Sequence, residues 1–349
     1  MQAMMLTDYK SLEITDVPEP VAGNGELLLR IRACGICGSD IHGFDGSSGR
    51  RIPPLIMGHE AAGVVEQVGL GVKRFSPGDR VTFDSMISCG HCTFCRKGNR
   101  NLCNTRRVLG VSCDDYRQHG AFAELISIPE HIVYRIPDEL TFQQAALVEP
   151  VSVAVHAVNL TPVELGQSAV VIGCGTIGLF CLQSLRAAGC GTLLAVDPDE
   201  TRRERAVRIG ADEAFDPRAT DVVAAVAERT GGQGADLALE AVGATDPVNT
   251  AVAVVRKGGV VTLVGNVSPS IDFPLQSVVT REIRMIGTCG SNGEYPECLE
   301  LMSRRIINVD PLITAVDPLT TGPSWFDRLY AHEPGLLKII LYPDQQSPE

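Results

Sequence analysis

The chain is poor in aromatic residues, at 5%, and has no apolar run long enough to cross a bilayer. Its most apolar stretch, residues 169–185, is interrupted by glycines at its centre. No basic region followed by a long apolar core opens the sequence, so no secretory signal is expected. Basic residues are in the minority, 30 Lys and Arg against 42 Asp and Glu, which leaves a net charge of −12. That field repels polyanions, and no basic run is long enough to counter it locally. Nucleic acid and membrane are therefore not expected partners. Twelve cysteines without a secretory signal point to a reducing compartment, the cytoplasm. Clustered thiols there hold metal more often than they form disulfides.

With 349 residues, 44% of them apolar, the chain exceeds the size at which a single core keeps growing, and two domains are expected. Residues 1–153 carry short strand-like runs, "ELLLRIRA", "AAGVVEQV" and "DRVTF", cut by "PGD" and "GNG" turns. This texture predicts an irregular β-rich domain. In residues 154–288, buried-strand candidates "SAVVIG", "LLAVD", "LALEAV" and "VVTLVG" alternate with amphipathic helical patterns such as "IGLFCLQSLRAAG" and "DETRRERAVRIG". Strands alternating with helices predict βαβ units and a parallel sheet, so the overall class is α/β. Residues 289–349 turn irregular again and are expected to rejoin the first domain, with "DQQSPE" at the end frayed.

Four thiols crowd into "CGHCTFCRKGNRNLC", spaced C-x2-C-x2-C-x7-C: Cys89, Cys92, Cys95 and Cys103. Short C-x2-C turns present two sulfurs on one side of a tight loop, and zinc held by four thiolates is the leading reading. The seven-residue last gap and the Asn104 that follows speak against a bacterial ferredoxin cluster. Such a site has no open coordination position. It staples a lobe, residues 86–106, and catalyses nothing, and His91 within it reads as a loop residue.

"VVIGCGTIGLF" places Gly173, Gly175, Thr176, Ile177 and Gly178 in a G-x-G-x-x-G that follows a strand and opens a helix. Asp197 ends the next strand, 19 residues beyond Gly178. Glycines let backbone approach a pyrophosphate at the helix N-terminus, and the acid accepts from ribose hydroxyls while repelling a 2′-phosphate. The expected cofactor is NAD, with Arg202 as a further contact. A methyltransferase nucleotide site is the competing reading of the unit.

The remaining polar residues of the first domain are scattered through "ACGICGSDIHG", "IMGHEAAG" and "LVEPVSV". Singly, Cys37 reads as a small core residue, His59 as a satisfied core histidine and Glu149 as a helix-start acid. Together, a cysteine, a histidine and a glutamate form a legitimate three-ligand set for zinc, with the fourth position open to water or substrate.

With "CGICGSDIH", "GHEAAGVVEQVG", "FSPGDRV", the four-cysteine lobe, "EPVSVAVHA" and "GCGTIGL" in that order, the sequence resembles the zinc-dependent medium-chain dehydrogenase/reductase superfamily. The pair Glu149–Pro150, where alcohol dehydrogenases proper carry a cysteine, makes it similar to the polyol branch. The resemblance implies a GroES-like catalytic domain, residues 1–153 and 289–349, and a Rossmann domain, residues 154–288. It implies two zinc ions per chain, a structural one in the lobe and a catalytic one surrounded by Cys37, His59 and Glu149. Glu60 would be an exchanging ligand, and direct ligation by Glu60 or by Glu149 stays open. Ser39 would relay the proton, with His42 as the next station, and Val242, Val264 and Asn266 would line the nicotinamide site. The implied reaction is hydride transfer between a secondary alcohol, a polyol or sugar alcohol, and NAD, in a homodimer or homotetramer. Threonine-type or sugar-phosphate dehydrogenation is the alternative within the superfamily, with Arg281 as the candidate phosphate contact. A non-catalytic zinc-stapled nucleotide-binding protein is the alternative outside it. The sequence departs from the sorbitol pattern at Gly43 and Phe44, where "YW" is usual, and again after Arg281–Glu282, where "TCGSNGEYP" follows.

Overall fold

The computed structural model describes residues 1–343, so the expectation for "DQQSPE" lies outside the described residues. The chain divides into two compact units. One comprises Met1–Glu149, Tyr295–Ser303 and the described residues from Leu312 on; the other comprises Pro150–Glu294 and Arg304–Pro311. The sequence texture predicts junctions at 153/154 and 288/289; the second falls instead at 294/295, and Arg304–Pro311, expected in the first domain, belongs to the second unit. The first junction lies a few residues earlier, inside helix Val148–Leu160, an unbroken helical run whose sequence carries no stop signal there. Pro150 fits its first turn, where the backbone N–H has no helical acceptor.

In the second unit, "AVVI" and "LLAV" are buried along their whole length, as strands covered on both faces must be. They belong to a six-stranded parallel sheet. Its order across is Glu213–Phe215, Leu193–Val196, Ala169–Ile172, Ala235–Glu240, Val255–Leu263 and Arg284–Gly287. In sequence order that is 3-2-1-4-5-6, the doubly wound Rossmann topology, with its switch point between Ala169–Ile172 and Ala235–Glu240. Ligands of such sheets bind beyond the strand C-termini at this point, where Gly173 and Ala241 emerge.

The first unit is built on a mostly antiparallel sheet in which strand Glu26–Gly35 is central. It pairs with Glu60–Val68 on one side and with Lys338–Tyr342 and Leu125–Pro129 on the other. The registers Gly35↔Glu60 and Ile340↔Gly35 bring three distant segments to one place. Its core includes Phe44, Phe122 and Phe326, with edge-to-face ring separations of 5.6 and 5.9 Å. Phe326 comes from the returning C-terminal stretch, so that stretch completes this core.

Candidate active site

Strand Glu26–Gly35 ends at Gly35, and the chain turns into helix Gly38–Phe44 with Cys37 as its N-cap. The Cys37 N–H donates to Asp40 Oδ2 at 3.2 Å, which fixes the entry of the helix. Across the ladder, Glu60 opens its strand opposite Gly35, with His59 immediately before it. A Cβ on residue 35 would run into the Glu60 carboxylate, so the glycine gives that carboxylate its seat. The result is a cluster in which Cys37 Sγ, an imidazole nitrogen of His59 and a carboxylate oxygen of Glu60 all lie within 4.8 Å of one another.

The surroundings match a metal site. His59 is buried, and its Nδ1 lies 3.4 Å from Oδ1 of the fully buried Asp40, an ion-pair distance rather than a formed hydrogen bond. A carboxylate behind a ligating imidazole fixes ring orientation and raises ligand basicity. Burial pulls the His59 pKa down, but the charges of Asp40 and Cys37 outweigh it and hold it well above the usual value. A soft sulfur, an imidazole and a hard carboxylate form a donor set that suits zinc.

Glu60 is itself held. The buried Lys338 ammonium donates to Glu60 Oε1 at 2.8 Å, to Oε2 at 2.6 Å and to Ile36 O at 3.0 Å, which uses all three of its hydrogens. Glu149 is not one of the residues within the 4.8 Å group. It accepts from Ser85 Oγ at 3.3 Å, and burial pushes its pKa up to about 7, opposed by the His59 charge and aided by Glu60. Ser39, exposed, has its Oγ 3.5 Å from His59 Nε2, and His42 follows one turn on along the same helix, also exposed.

In the lobe, Cys89, Cys92, Cys95 and Cys103 place their sulfurs within 4.8 Å of one another. Backbone N–H groups of Cys89 and Cys92 already point at Cys103 Sγ and Cys89 Sγ, at 3.3 and 3.4 Å. Hydrogen bonds from the backbone at His91 and Cys92 lower the Cys89 thiol to about 5, favouring the thiolate that zinc requires. The His91 ring contacts Cys89 O at 2.8 Å, outside the sulfur group. Cys92→Ser is expected to lose one zinc per chain and lower the melting temperature, while molecules that stay folded keep a near-normal KM. Metal analysis alongside kinetics checks this.

In the second unit each glycine of the fingerprint has its own reason. Gly173 has φ +91°, a conformation L side chains rarely adopt. A Cβ on Gly178 would strike Gly173 O, so helix Thr176–Ala187 can pack this close only without one. Gly175 has nothing within 4 Å of a would-be Cβ, the open backbone that a pyrophosphate needs. Thr176 and Ile177 are the first two residues of that helix. Asp197 is buried, with Oδ2 accepting from Cys174 N at 2.7 Å and Oδ1 from Asp199 N at 2.8 Å. It therefore clamps the glycine loop as well as carrying lone pairs a ribose can use, a double role the sequence did not reveal. Arg202 is partly exposed on helix Glu200–Arg208, and the neighbouring Arg203 donates to Asp197 O at 2.8 Å. Val242 packs towards Gly173, and Gly243 and Gly265 bring the loop of Val242 against that of Val264 and Asn266. Arg281, the candidate phosphate contact, donates instead to Val252 O at 2.9 Å and to Val255 O. That guanidinium braces its own unit. Asp40, Arg51 and Lys338 carry no motif signal of their own in the sequence, although Asp40 lies inside "CGICGSDIH".

Residues 23–138 match the alcohol dehydrogenase GroES-like domain family, and residues 176–304 match the zinc-binding dehydrogenase family. Among curated proteins, the chain is 31% identical to sorbitol dehydrogenase of Bacillus subtilis, over 99% of this chain and 98% of the other. It is 32% identical to D-arabitol-phosphate dehydrogenase of Enterococcus avium, over 92% and 91%. Among solved structures, 2R,3R-butanediol dehydrogenase from Bacillus subtilis superposes with a TM-score of 0.89 at 32% identity, covering 98% of this chain and 99% of that one. The chain belongs to the zinc-dependent medium-chain dehydrogenase/reductase superfamily, as a zinc-binding dehydrogenase with a GroES-like domain.

Proposed function

We propose that this protein oxidises a secondary alcohol of the polyol or sugar-alcohol class, reversibly, by hydride transfer to NAD. The observation that carries the reading is the convergence of Cys37, His59 and Glu60 within 4.8 Å. Zinc held by Cys37, His59 and a carboxylate supplies Lewis acidity, which for water lowers the pKa from about 16 to roughly 7, on the order of 12 kcal/mol. Glu60 lies inside the gathered group and Glu149 outside it, so either carboxylate can complete the set with Cys37 and His59, Glu60 being the exchanging one. With Cys37 and one glutamate as anions and His59 neutral, the ligand charge of −2 would balance the ion.

Ser39 takes the proton of the substrate hydroxyl and passes its own to His42 or solvent. Such a relay contributes roughly 10²- to 10⁴-fold. Gly173, Gly175, Thr176, Ile177 and Gly178 seat the pyrophosphate. Val242, Val264 and Asn266 flank the nicotinamide. Asp197 accepts from the ribose, and Arg202 is a further contact. A neutral polyol is favoured over a sugar phosphate, because Arg281 is committed to backbone carbonyls.

The test is a panel of sorbitol, xylitol, 2,3-butanediol, threonine and sugar phosphates with NAD or NADP. NADH formation fastest with a neutral diol or polyol supports the reading, and cofactor binding without turnover of any alcohol contradicts it. Asp197→Ala is expected to lower the NAD-to-NADP ratio of kcat/KM by about 10- to 100-fold, the loss of one hydrogen bond to a charged group. A wild type that already prefers NADP would contradict the assignment.

Strand Arg284–Gly287 forms one edge of its sheet, and the chain leading to it exposes Phe273, Leu275 and Val279, which favours pairing with a second copy in a homodimer or homotetramer. The abundance of free thiols favours a reducing, cytoplasmic home.

A further inference from the structure

Arg51 is only 5% exposed, unusual for an arginine, and it lies beside the relay serine rather than in a surface ion pair. Its Nη2 is 3.3 Å from Ser39 Oγ and 3.4 Å from Asp40 Oδ1, and its Nη1 donates to Arg50 O at 3.2 Å. Its Nε is buried with no hydrogen-bond partner. Leaving a buried donor unpaired is destabilising, and such groups in a native protein call for a reason. Room for the side chain comes from Gly43, since a Cβ there would collide with Arg51 Cγ. The departure from the sorbitol pattern at Gly43 thus makes space for a guanidinium next to Ser39.

We propose that Arg51 is a positioning residue that acts through Ser39, holding Oγ as an acceptor so that the serine hydrogen is aimed along the relay. The proposal rests on the relay role given to Ser39 above. Arginine has only donors and does not lose its proton, so it is no station in the relay. Because Nη2 can only donate, Ser39 Oγ accepts from it, and the hydroxyl hydrogen must point to another group. When the substrate hydroxyl proton arrives at Oγ, the original serine hydrogen leaves in the other direction. One proton enters and one leaves, and the serine ends neutral. Asp40 balances the guanidinium charge and at the same time backs His59, so the metal ligand and the relay hydroxyl share one buried anion.

The experiment is a double-mutant cycle of Arg51→Met and Ser39→Ala, with Arg51→Lys as the conservative variant. It uses the fastest alcohol of the panel and reads kcat, KM, the solvent deuterium isotope effect and zinc content. Arg51→Met is expected to lower kcat roughly 10- to 100-fold with KM little changed, to raise the solvent isotope effect and to keep its zinc. Arg51→Lys restores part of the rate. In the Ser39→Ala background, Arg51→Met is expected to add less than about a twofold loss, because both act through one hydroxyl. Equal losses in both backgrounds, or a loss that follows zinc content without a change in isotope effect, overturn the proposal and make Arg51 structural. If Arg51→Met fails to fold, the same cycle with Arg51→Lys decides on the same criteria. A fully active Ser39→Ala overturns the relay reading, and the Arg51 proposal with it. A slow Ser39→Ala with an unimpaired Arg51→Met overturns the Arg51 proposal alone.

Discussion

His59→Ala is expected to abolish alcohol oxidation, with kcat/KM falling by at least ~10⁴-fold, while the four-cysteine lobe keeps its zinc. The size follows from the metal's share of the barrier, on the order of 12 kcal/mol, of which an imperfectly held ion retains little. The fold survives because the anion behind His59 keeps a second cation: Arg51 Nη2 lies 3.4 Å from Asp40 Oδ1. NAD binding is unaffected, since its fingerprint belongs to the other unit. Kinetics with cofactor titration checks this, and a variant within tenfold of wild type would remove His59 from the chemistry.

The second large effect concerns stability. Lys338→Met leaves the Glu60 carboxylate buried without its cation, a change that costs about 3–5 kcal/mol. Combining it with Glu60→Gln removes the orphaned charge, and at least half of the loss is expected to return. Denaturant unfolding of wild type and the two variants measures both numbers. A loss below about 1 kcal/mol for Lys338→Met, or no recovery in the pair, would contradict a tight buried ion pair.

Much of the site was legible because its residues stand in short local patterns. "CGSDIH" and "GHE" are brought together by one strand ladder, with Gly35 opposite Glu60, and the alternation of strands and amphipathic helices already dictated a parallel sheet. The thiol spacing of the lobe was equally local. What escaped depends on long-range placement. Lys338 stands 278 residues from Glu60, so no local spacing links the two. Arg51 follows a second arginine in a polar loop, and only the missing side chain at Gly43 shows where it goes. The split between the two glutamates is likewise a matter of space. Adjacent sequence puts Glu60 next to His59, whereas Glu149 starts a helix whose position no nearby pattern specifies.

Zinc stoichiometry of Cys37→Ser against wild type decides whether Cys37 and His59 hold a metal ion apart from that of the lobe. Two equivalents are expected in wild type and one in the variant, with the remaining zinc lost only when a lobe cysteine is also replaced. Two equivalents retained by Cys37→Ser, or a single equivalent in fully active wild type, would contradict it.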